Sequence, residues 1–100
     1  MVIHHVFFWL QEHNEANLQK LLTGLKTLES IKTVRKIHIG LPASTESRDV
    51  VDHSYSASEL LFFDDLIGQL AYQNDPVHKK FIAECGHLWK KVIVYDSVEV

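Results

Sequence analysis

Tyr72 and His78 are the side chains whose types and spacing best suit proton transfer. Phe81 and Ile82 follow His78 at the helical positions i+3 and i+4, so a helix would turn all three side chains toward one buried side. Because an imidazole titrates near pH 6.5, His78 can accept or donate a proton around neutrality. The Tyr72 hydroxyl can polarise a carbonyl oxygen while the imidazole removes a neighbouring proton. We therefore predict that His78 and Tyr72 are catalytic, in acid–base chemistry of a lyase or cyclase type that needs no metal.

His78 also has a purely structural interpretation, because an inward-facing histidine needs hydrogen-bond partners for its ring nitrogens. It would then bond a backbone carbonyl and hold a break between two helices in place. His5 has two interpretations as well, as the wall of a pocket or as a hydrogen-bonded core histidine. His4 follows the opposite alternation along the same strand, so it is expected to face a partner subunit.

The number of histidines suggests metal binding, but no pair has the H-x-H or H-x-x-x-H spacing of an organised site. Asp52-His53 and the pair of Asp75 and His78 could each supply two ligands, and Asp75 is more simply explained as a helix cap. Cys85 is the single cysteine, which excludes a disulfide framework and a cysteine-based zinc site. The sequence therefore predicts no metal and no cofactor.

Four strands and two helical regions have to position these residues. The predicted strands are Val2–Leu10, Val34–Leu41, a segment ending at Phe63, and Val92–Val100, and the predicted helices are Glu15–Glu29 and one broken at Asp75-Pro76. The order βαββαβ predicts an α+β, ferredoxin-like fold, with a four-stranded antiparallel sheet and helices on one face. One hundred residues leave no room for a second core, so residues 1–100 form one domain.

Both faces of the first and last strands are mostly apolar, whereas an antiparallel sheet with one wet face alternates apolar and polar residues. We therefore predict a homodimer that buries the face without helices. Its contacts are expected to include Val6, Phe8, Leu60, Phe62, Ile93 and Tyr95. The other face is expected to form, with the helices, a pocket for a small hydrophobic molecule. The predicted pocket residues are His5, Phe7, Trp9, Leu22, Glu59, Leu61, Phe81, Trp89 and Val94.

Charge and hydropathy exclude several other functions. A formal net charge of −3 is unlike the basic face of a nucleic-acid-binding domain. The apolar stretch Val2–Leu10 is too short to cross a bilayer and lacks the flanks of a signal peptide. We therefore expect a cytoplasmic protein with no nucleic-acid or membrane partner.

The sequence resembles the stress-responsive A/B barrel (Dabb) family over essentially its whole length. The most specific match is Phe63-Asp64 followed by Leu70–Phe81 (LAYQNDPVHKKF), which is similar to the family signature F-D…AYxxHPxHxxF. The opening VIHHVFFWL and the closing VIVYD also fit. This sequence departs from the family at Asp75, where a histidine is usual, and at Glu59, on a strand that is usually apolar there.

The resemblance implies a homodimer whose two sheets pack face to face as a dimeric α+β barrel, with a pocket in each subunit. Most family members have no assigned reaction. A plant polyketide cyclase of the family uses a Tyr/His pair that matches Tyr72 and His78 in an intramolecular aldol condensation. Three functions therefore remain open: a small-molecule pocket with acid–base chemistry, a non-catalytic ligand-binding or stress-protective homodimer, and a monooxygenase-like enzyme of the related dimeric barrels.

Overall fold

The computed structural model describes residues 1–100 and contains four strands and three α-helices. The strands are β1 (Val2–Leu10), β2 (Lys36–Gly40), β3 (Ala57–Phe63) and β4 (Trp89–Val98), and the helices are α1 (Glu15–Thr27), α2 (Leu66–Asn74) and α3 (Pro76–Cys85). The strands form one antiparallel sheet in the order β2-β3-β1-β4, which confirms the predicted ferredoxin-like fold. The strand ends differ from prediction, since β2 is shorter and β4 begins before Val92. No helix combines the length and the apolar character that crossing a membrane requires.

Short polar side chains begin the three α-helices. Asn14, Asp65 and Asp75 each accept a hydrogen bond of 2.8 Å from a backbone N–H of the first turn that follows. Asp75 ends α2 and begins α3, and the proline after it suits a first helical position because its missing N–H is not needed there. This break places Tyr72 in the last turn of α2 and His78 in the first turn of α3.

The helices cover one face of the sheet, which we call the covered face. Leu21 and Leu25 of α1, which lie four residues apart on one side of the helix, are fully buried against it. Alternate residues of the two central strands bury their side chains toward the helices. These residues are Val2, His4, Val6, Phe8 and Leu10 of β1, and Ala57, Glu59, Leu61 and Phe63 of β3. Burial of this apolar surface is the main stabilising contribution to the fold.

The predicted assignment of β1 side chains to the two faces is wrong. Val6 and Phe8, which were expected to contact a partner, are buried under the helices, and His4 lies beside them. The residues that were expected in the pocket and instead lie on the opposite face are His5, Phe7 and Trp9.

Strand register explains this reversal. Val6 of β1 pairs directly with Glu59 of β3 on one side and with Val94 of β4 on the other. Directly paired residues of an antiparallel sheet project to the same face, so these three side chains share the covered face. Both alternating sets of β1 are largely apolar, and composition therefore does not distinguish them.

The face without helices, which we call the open face, carries a cluster of aromatic rings. The Phe7 ring centroid lies 4.2 Å from that of His5, 5.0 Å from that of Tyr55 and 6.1 Å from that of Tyr95. Tyr95 is 64% exposed, and no helix covers the cluster, although Asp52 and Tyr55 of the segment before β3 lie against it. The other apolar side chains on this face are Ile3, Trp9, Leu60, Phe62 and Ile93.

Candidate functional site

A cavity of about 170 Å³ lies on the covered face, between the sheet and α3. Its volume is comparable with the roughly 150 Å³ cavity that holds a benzene molecule in another protein. The lining residues are His4, Val6, Phe8, Glu59, Gln73, His78, Phe81, Ile82, Trp89, Val92 and Val94. A larger groove of about 420 Å³ runs between α1 and α3. We place the candidate site in the smaller cavity because the buried ionisable side chains converge there.

Glu59 brings a carboxyl group into this apolar cavity. The residue is 3% exposed, and its Oε1 accepts a hydrogen bond of 3.4 Å from the Tyr72 hydroxyl. Its Oε2 is buried and has no hydrogen-bond partner. Burial raises the pKa of Glu59 to about 8, against a smaller opposing effect of the Tyr72 hydrogen bond. At pH 7 the neutral carboxyl, which can donate a hydrogen bond, therefore predominates.

Tyr72 lies behind Glu59 and does not line the cavity. It is 0% exposed, and its ring packs against Phe63 with 5.1 Å between centroids. Burial, followed by the nearby negative charge and hydrogen bond of Glu59, raises the pKa of the Tyr72 hydroxyl above its usual value. The hydroxyl therefore stays protonated and its hydrogen is directed at the carboxyl group.

His78 lines the cavity from the first turn of α3 and is half-buried. Its ring centroid lies 4.7 Å from that of Tyr72. The histidines that form side-chain hydrogen bonds are His4, His13 and His53, so the ring nitrogens of His78 have no partner within the chain. Burial, followed by the positive charge of His4, lowers the pKa of His78, and Asp75 opposes this. His78 is therefore mainly neutral at pH 7 and can accept a proton.

His4 is a site residue that sequence reasoning missed. It is 5% exposed, and its Nδ1 lies 2.5 Å from Oδ1 of the exposed Asp96, its cross-strand neighbour. When neutral, a histidine that donates from Nδ1 to a carboxylate keeps Nε2 as a hydrogen-bond acceptor. The sequence feature that could have identified His4 is Asp96, a charged residue in the mostly apolar second half of β4. Only the strand register shows that Asp96 lies beside His4.

The structure brings together only some of the predicted pocket residues. Glu59, Phe81, Trp89 and Val94 line the cavity beside His78. Leu61 is fully buried in the core, and Leu22 is a partly buried residue packed against that core. Neither leucine contributes to the cavity wall.

Two facts complete the chemical description of the cavity. No group of three or more His, Cys, Asp or Glu side chains is arranged to hold a metal ion. A neutral carboxyl and a neutral imidazole instead line the same apolar walls. One group can give a proton and the other can accept one, which is the minimum for acid–base chemistry on a bound molecule.

Comparison with known proteins agrees with the fold. No curated protein sequence is significantly similar to this chain. A Dabb family protein with a ferredoxin-like fold from Mesorhizobium loti superimposes with a TM-score of 0.79 at 20% identity, over 99% of this chain and 96% of that one. A hydroxynitrile lyase from Passiflora edulis gives a TM-score of 0.80 at 16% identity, over 99% and 93% of the two chains.

A third similar structure is a dimeric ferredoxin-like protein of unknown function from Thermobifida fusca, with a TM-score of 0.78 and 16% identity over 98% of this chain and 90% of that one. At such identities the structural likenesses establish the fold alone. The sequence profile of the stress responsive A/B barrel domain (Dabb) matches residues 2–99. The match spans nearly the whole sequence, and the chain therefore belongs to the Dabb family.

Proposed function

We propose that this protein binds a small, largely apolar molecule in the cavity of the covered face and performs acid–base chemistry on it. The observation that carries the proposal is the presence of Glu59 and His78 at one apolar cavity, with complementary protonation states. Ligand pockets are typically apolar with a few convergent polar groups, and strongly shifted pKa values mark candidate functional residues.

His78 is the proton acceptor in this proposal. Its unpartnered imidazole would remove a proton from the carbon next to a carbonyl group. The C–H electron pair then forms a carbon–carbon double bond, and the carbonyl oxygen gains electron density that a hydrogen-bond donor must stabilise. The likeness to a hydroxynitrile lyase supports the idea that this fold can carry an enzyme.

The proposal includes a homodimer formed through the open face. Its aromatic cluster is covered by no helix and stays partly exposed in the single chain, and contiguous exposed apolar surface commonly marks an interface. The dimeric description of the Thermobifida fusca structure supports the same assembly. The contact residues would be Ile3, His5, Phe7, Trp9, Leu60, Phe62, Ile93 and Tyr95.

A ligand-binding protein without catalysis is the second candidate function. A wholly apolar, closed and dry pocket would favour it, whereas the observed cavity carries a carboxyl group and two imidazoles. Those groups favour catalysis over ligand binding alone, because a buried polar group costs free energy unless it has a hydrogen-bond partner or a function.

The test is proton exchange from simple ketones in deuterated water, followed by nuclear magnetic resonance. The protein is expected to accelerate exchange of the methyl protons of acetophenone, and His78→Ala is expected to remove most of that acceleration. His13→Ala provides the control, because His13 lies outside the cavity. Exchange that is equally fast with wild type and His78→Ala would refute the catalytic proposal, and ketone binding without any exchange would favour the second candidate.

A further inference from the structure

The unpartnered oxygen of Glu59 is the least explained polar atom of the site. Glu59 lies within β3, directly opposite the apolar Val6 of β1, and it is the only charged residue type of that strand. A buried polar atom without a partner costs about 1–3 kcal/mol, so such atoms in native proteins call for a functional explanation. Thr33 Oγ1 is the other such atom, and it does not line the cavity.

Tyr72 cannot serve both Glu59 and a ligand in the observed arrangement. Its hydroxyl has one hydrogen, and that hydrogen points to Oε1 of Glu59. The Tyr72 side chain is fully buried and is separated from the cavity, whereas Glu59 forms part of the wall. The hydrogen-bond chain therefore runs from Tyr72 to Oε1, and the free position is Oε2.

Burial favours the neutral form of Glu59, and the Tyr72 hydrogen bond opposes this to a smaller extent. The ionisable groups near it are Tyr72 from α2, His78 from α3, His4 from β1 and, through His4, Asp96 from β4. No lysine or arginine lines the cavity, so no permanent positive charge compensates a carboxylate. Burial accordingly raises the pKa of Glu59 to about 8. A neutral carboxyl whose Oε1 accepts from Tyr72 carries its own hydrogen on Oε2.

We propose that Glu59 is the hydrogen-bond and proton donor of this cavity, that Tyr72 is a positioning residue behind it, and that the ligand presents an accepting oxygen to Glu59 Oε2. This inference rests on the proposed function and identifies the donor that function requires. A hydrogen-bond donor at Glu59 would make the cavity bind uncharged ligands with a carbonyl oxygen more tightly than hydrocarbons of the same shape.

The proton-transfer step balances between the two side chains. His78 takes the proton from the carbon, and the C–H electron pair becomes the new carbon–carbon bond. The carbonyl π pair takes the Oε2 proton of Glu59, which leaves an enol, a Glu59 carboxylate and a His78 imidazolium. The His78 N–H then exchanges with deuterated water, and the reverse transfers place a deuteron on the carbon and restore both neutral side chains, so exchange needs no reactant other than the solvent.

The test compares the binding of acetophenone with that of ethylbenzene, which has a similar shape but no carbonyl oxygen. In Glu59→Leu the ratio of acetophenone affinity to ethylbenzene affinity is expected to fall about two- to tenfold, the effect of one net hydrogen bond. Glu59→Gln keeps an N–H donor of the same shape, so it is expected to retain most of the ratio while losing the exchange of ketone protons. Glu84→Gln, on the exposed side of α3, is the matched control and is expected to change neither.

The pH dependence separates this proposal from a simple packing effect. The affinity ratio of the wild type is expected to fall above about pH 8, where Glu59 ionises and loses its hydrogen. The Tyr72 hydrogen bond lowers the pKa of Glu59, so Tyr72→Phe is expected to move this fall to higher pH. A purely structural tyrosine would not move it. The pH dependence is measured on the folded wild type, so it tests the proposal even if Glu59→Leu does not fold.

The outcomes distinguish this inference from the proposed function. Binding of both probes with exchange that depends on His78, but with an affinity ratio independent of Glu59 and of pH, would overturn the role of Glu59 alone. An affinity ratio that rises in Glu59→Leu would also overturn it, because it would show that a carboxylate repels the carbonyl oxygen. If neither acetophenone nor ethylbenzene binds to the protein, both proposals are overturned.

Discussion

The two faces of the sheet differ in what they do with polar groups. The covered face buries His4 and Glu59 among apolar side chains, and each is held by one specific partner. The open face carries aromatic rings that contact one another and no buried carboxyl group. Burying an ionisable group costs free energy and shifts its pKa, whereas burying a ring gains free energy. We infer that chemistry belongs to the first face and association to the second.

Two neighbouring histidines show the same contrast within one strand. His4 points to the helices and pairs with Asp96 at the edge of the cavity. His5 points to the open face and stacks on Phe7, and partial burial lowers its pKa. Adjacent residues of β1 point to opposite faces of the sheet, so a difference of one position decides whether a histidine lines the cavity or lies in the aromatic cluster.

The largest effect is expected from a charge on the open face. Phe7→Asp should weaken the proposed homodimer by at least about 1000-fold, because two-fold symmetry buries the unpaired charge twice at several kcal/mol each. Light scattering across a concentration series measures the change. Circular dichroism checks that the chain remains folded.

Ile67→Asp is the matched control for Phe7→Asp, because Ile67 is 80% exposed on α2 and lies away from the open face. It should leave the assembly unchanged. A wild-type protein that is a stable folded monomer at micromolar concentration would contradict the role assigned to the open face.

A second prediction concerns Glu59 and the stability of the covered face. Its pKa is about 8 in the folded chain against 4.5 as the ordinary value, so between these pH values the unfolded chain releases a proton that the folded chain keeps. The free energy of unfolding therefore falls as pH rises from 5 to 8, by about 3 kcal/mol from this group. Below about pH 4.5 both states are protonated, so the free energy of unfolding no longer depends on pH through this group and stays at its higher value.

Glu59→Gln should flatten that part of the profile, since an amide does not titrate. Urea unfolding at pH 5, 6.5 and 8 gives the comparison, and Glu84→Gln should follow the wild type because Glu84 is exposed. Identical pH profiles for wild type and Glu59→Gln would show that the carboxyl group is not neutral in the folded protein.

The smallest effect is expected where the helices of the covered face meet. A Cβ at Gly24 of α1 would lie 2.6 Å from Cys85 Sγ and 3.1 Å from the Phe81 ring of α3. Gly24→Ala should therefore lower the free energy of unfolding by about 1–2 kcal/mol, because the cost of overpacking exceeds the higher helix propensity of alanine. Chemical denaturation measures the difference.

Gly68→Ala is the same substitution in α2, where the nearest contact of a Cβ is an ordinary 3.4 Å. It should raise the free energy of unfolding by up to about 1 kcal/mol. Removing the clashing sulfur in Gly24→Ala/Cys85→Ala should recover part of the lost stability. A stabilising Gly24→Ala would mean that α1 and α3 are not closely packed.

Local signals predicted most of the fold. The helix that begins at Glu15 and the break at Asp75-Pro76 depend on neighbouring residues, and the structure confirms both. The break also determines that Tyr72 and His78 end up close together, because they flank it. The order of strands and helices along the chain is then enough to predict the ferredoxin-like topology.

Long-range pairing could not be predicted in the same way. The face of β1 depends on which residues of β3 and β4 lie beside Val6, and both faces of the strand are apolar enough to be buried. The pair of His4 and Asp96 depends on the same register. The hydrogen bond from the Tyr72 hydroxyl to Glu59 depends on how α2 packs on β3, and the spacing of neighbouring residues in the sequence does not predict that packing.

The most direct test of the central claim is a crystal structure of the protein soaked with acetophenone. We predict that the ketone lies in the cavity of the covered face, with its oxygen within hydrogen-bond distance of Glu59 Oε2 and its methyl group toward His78. A ketone bound only among the rings of the open face, or with its oxygen turned away from Glu59, would contradict the account.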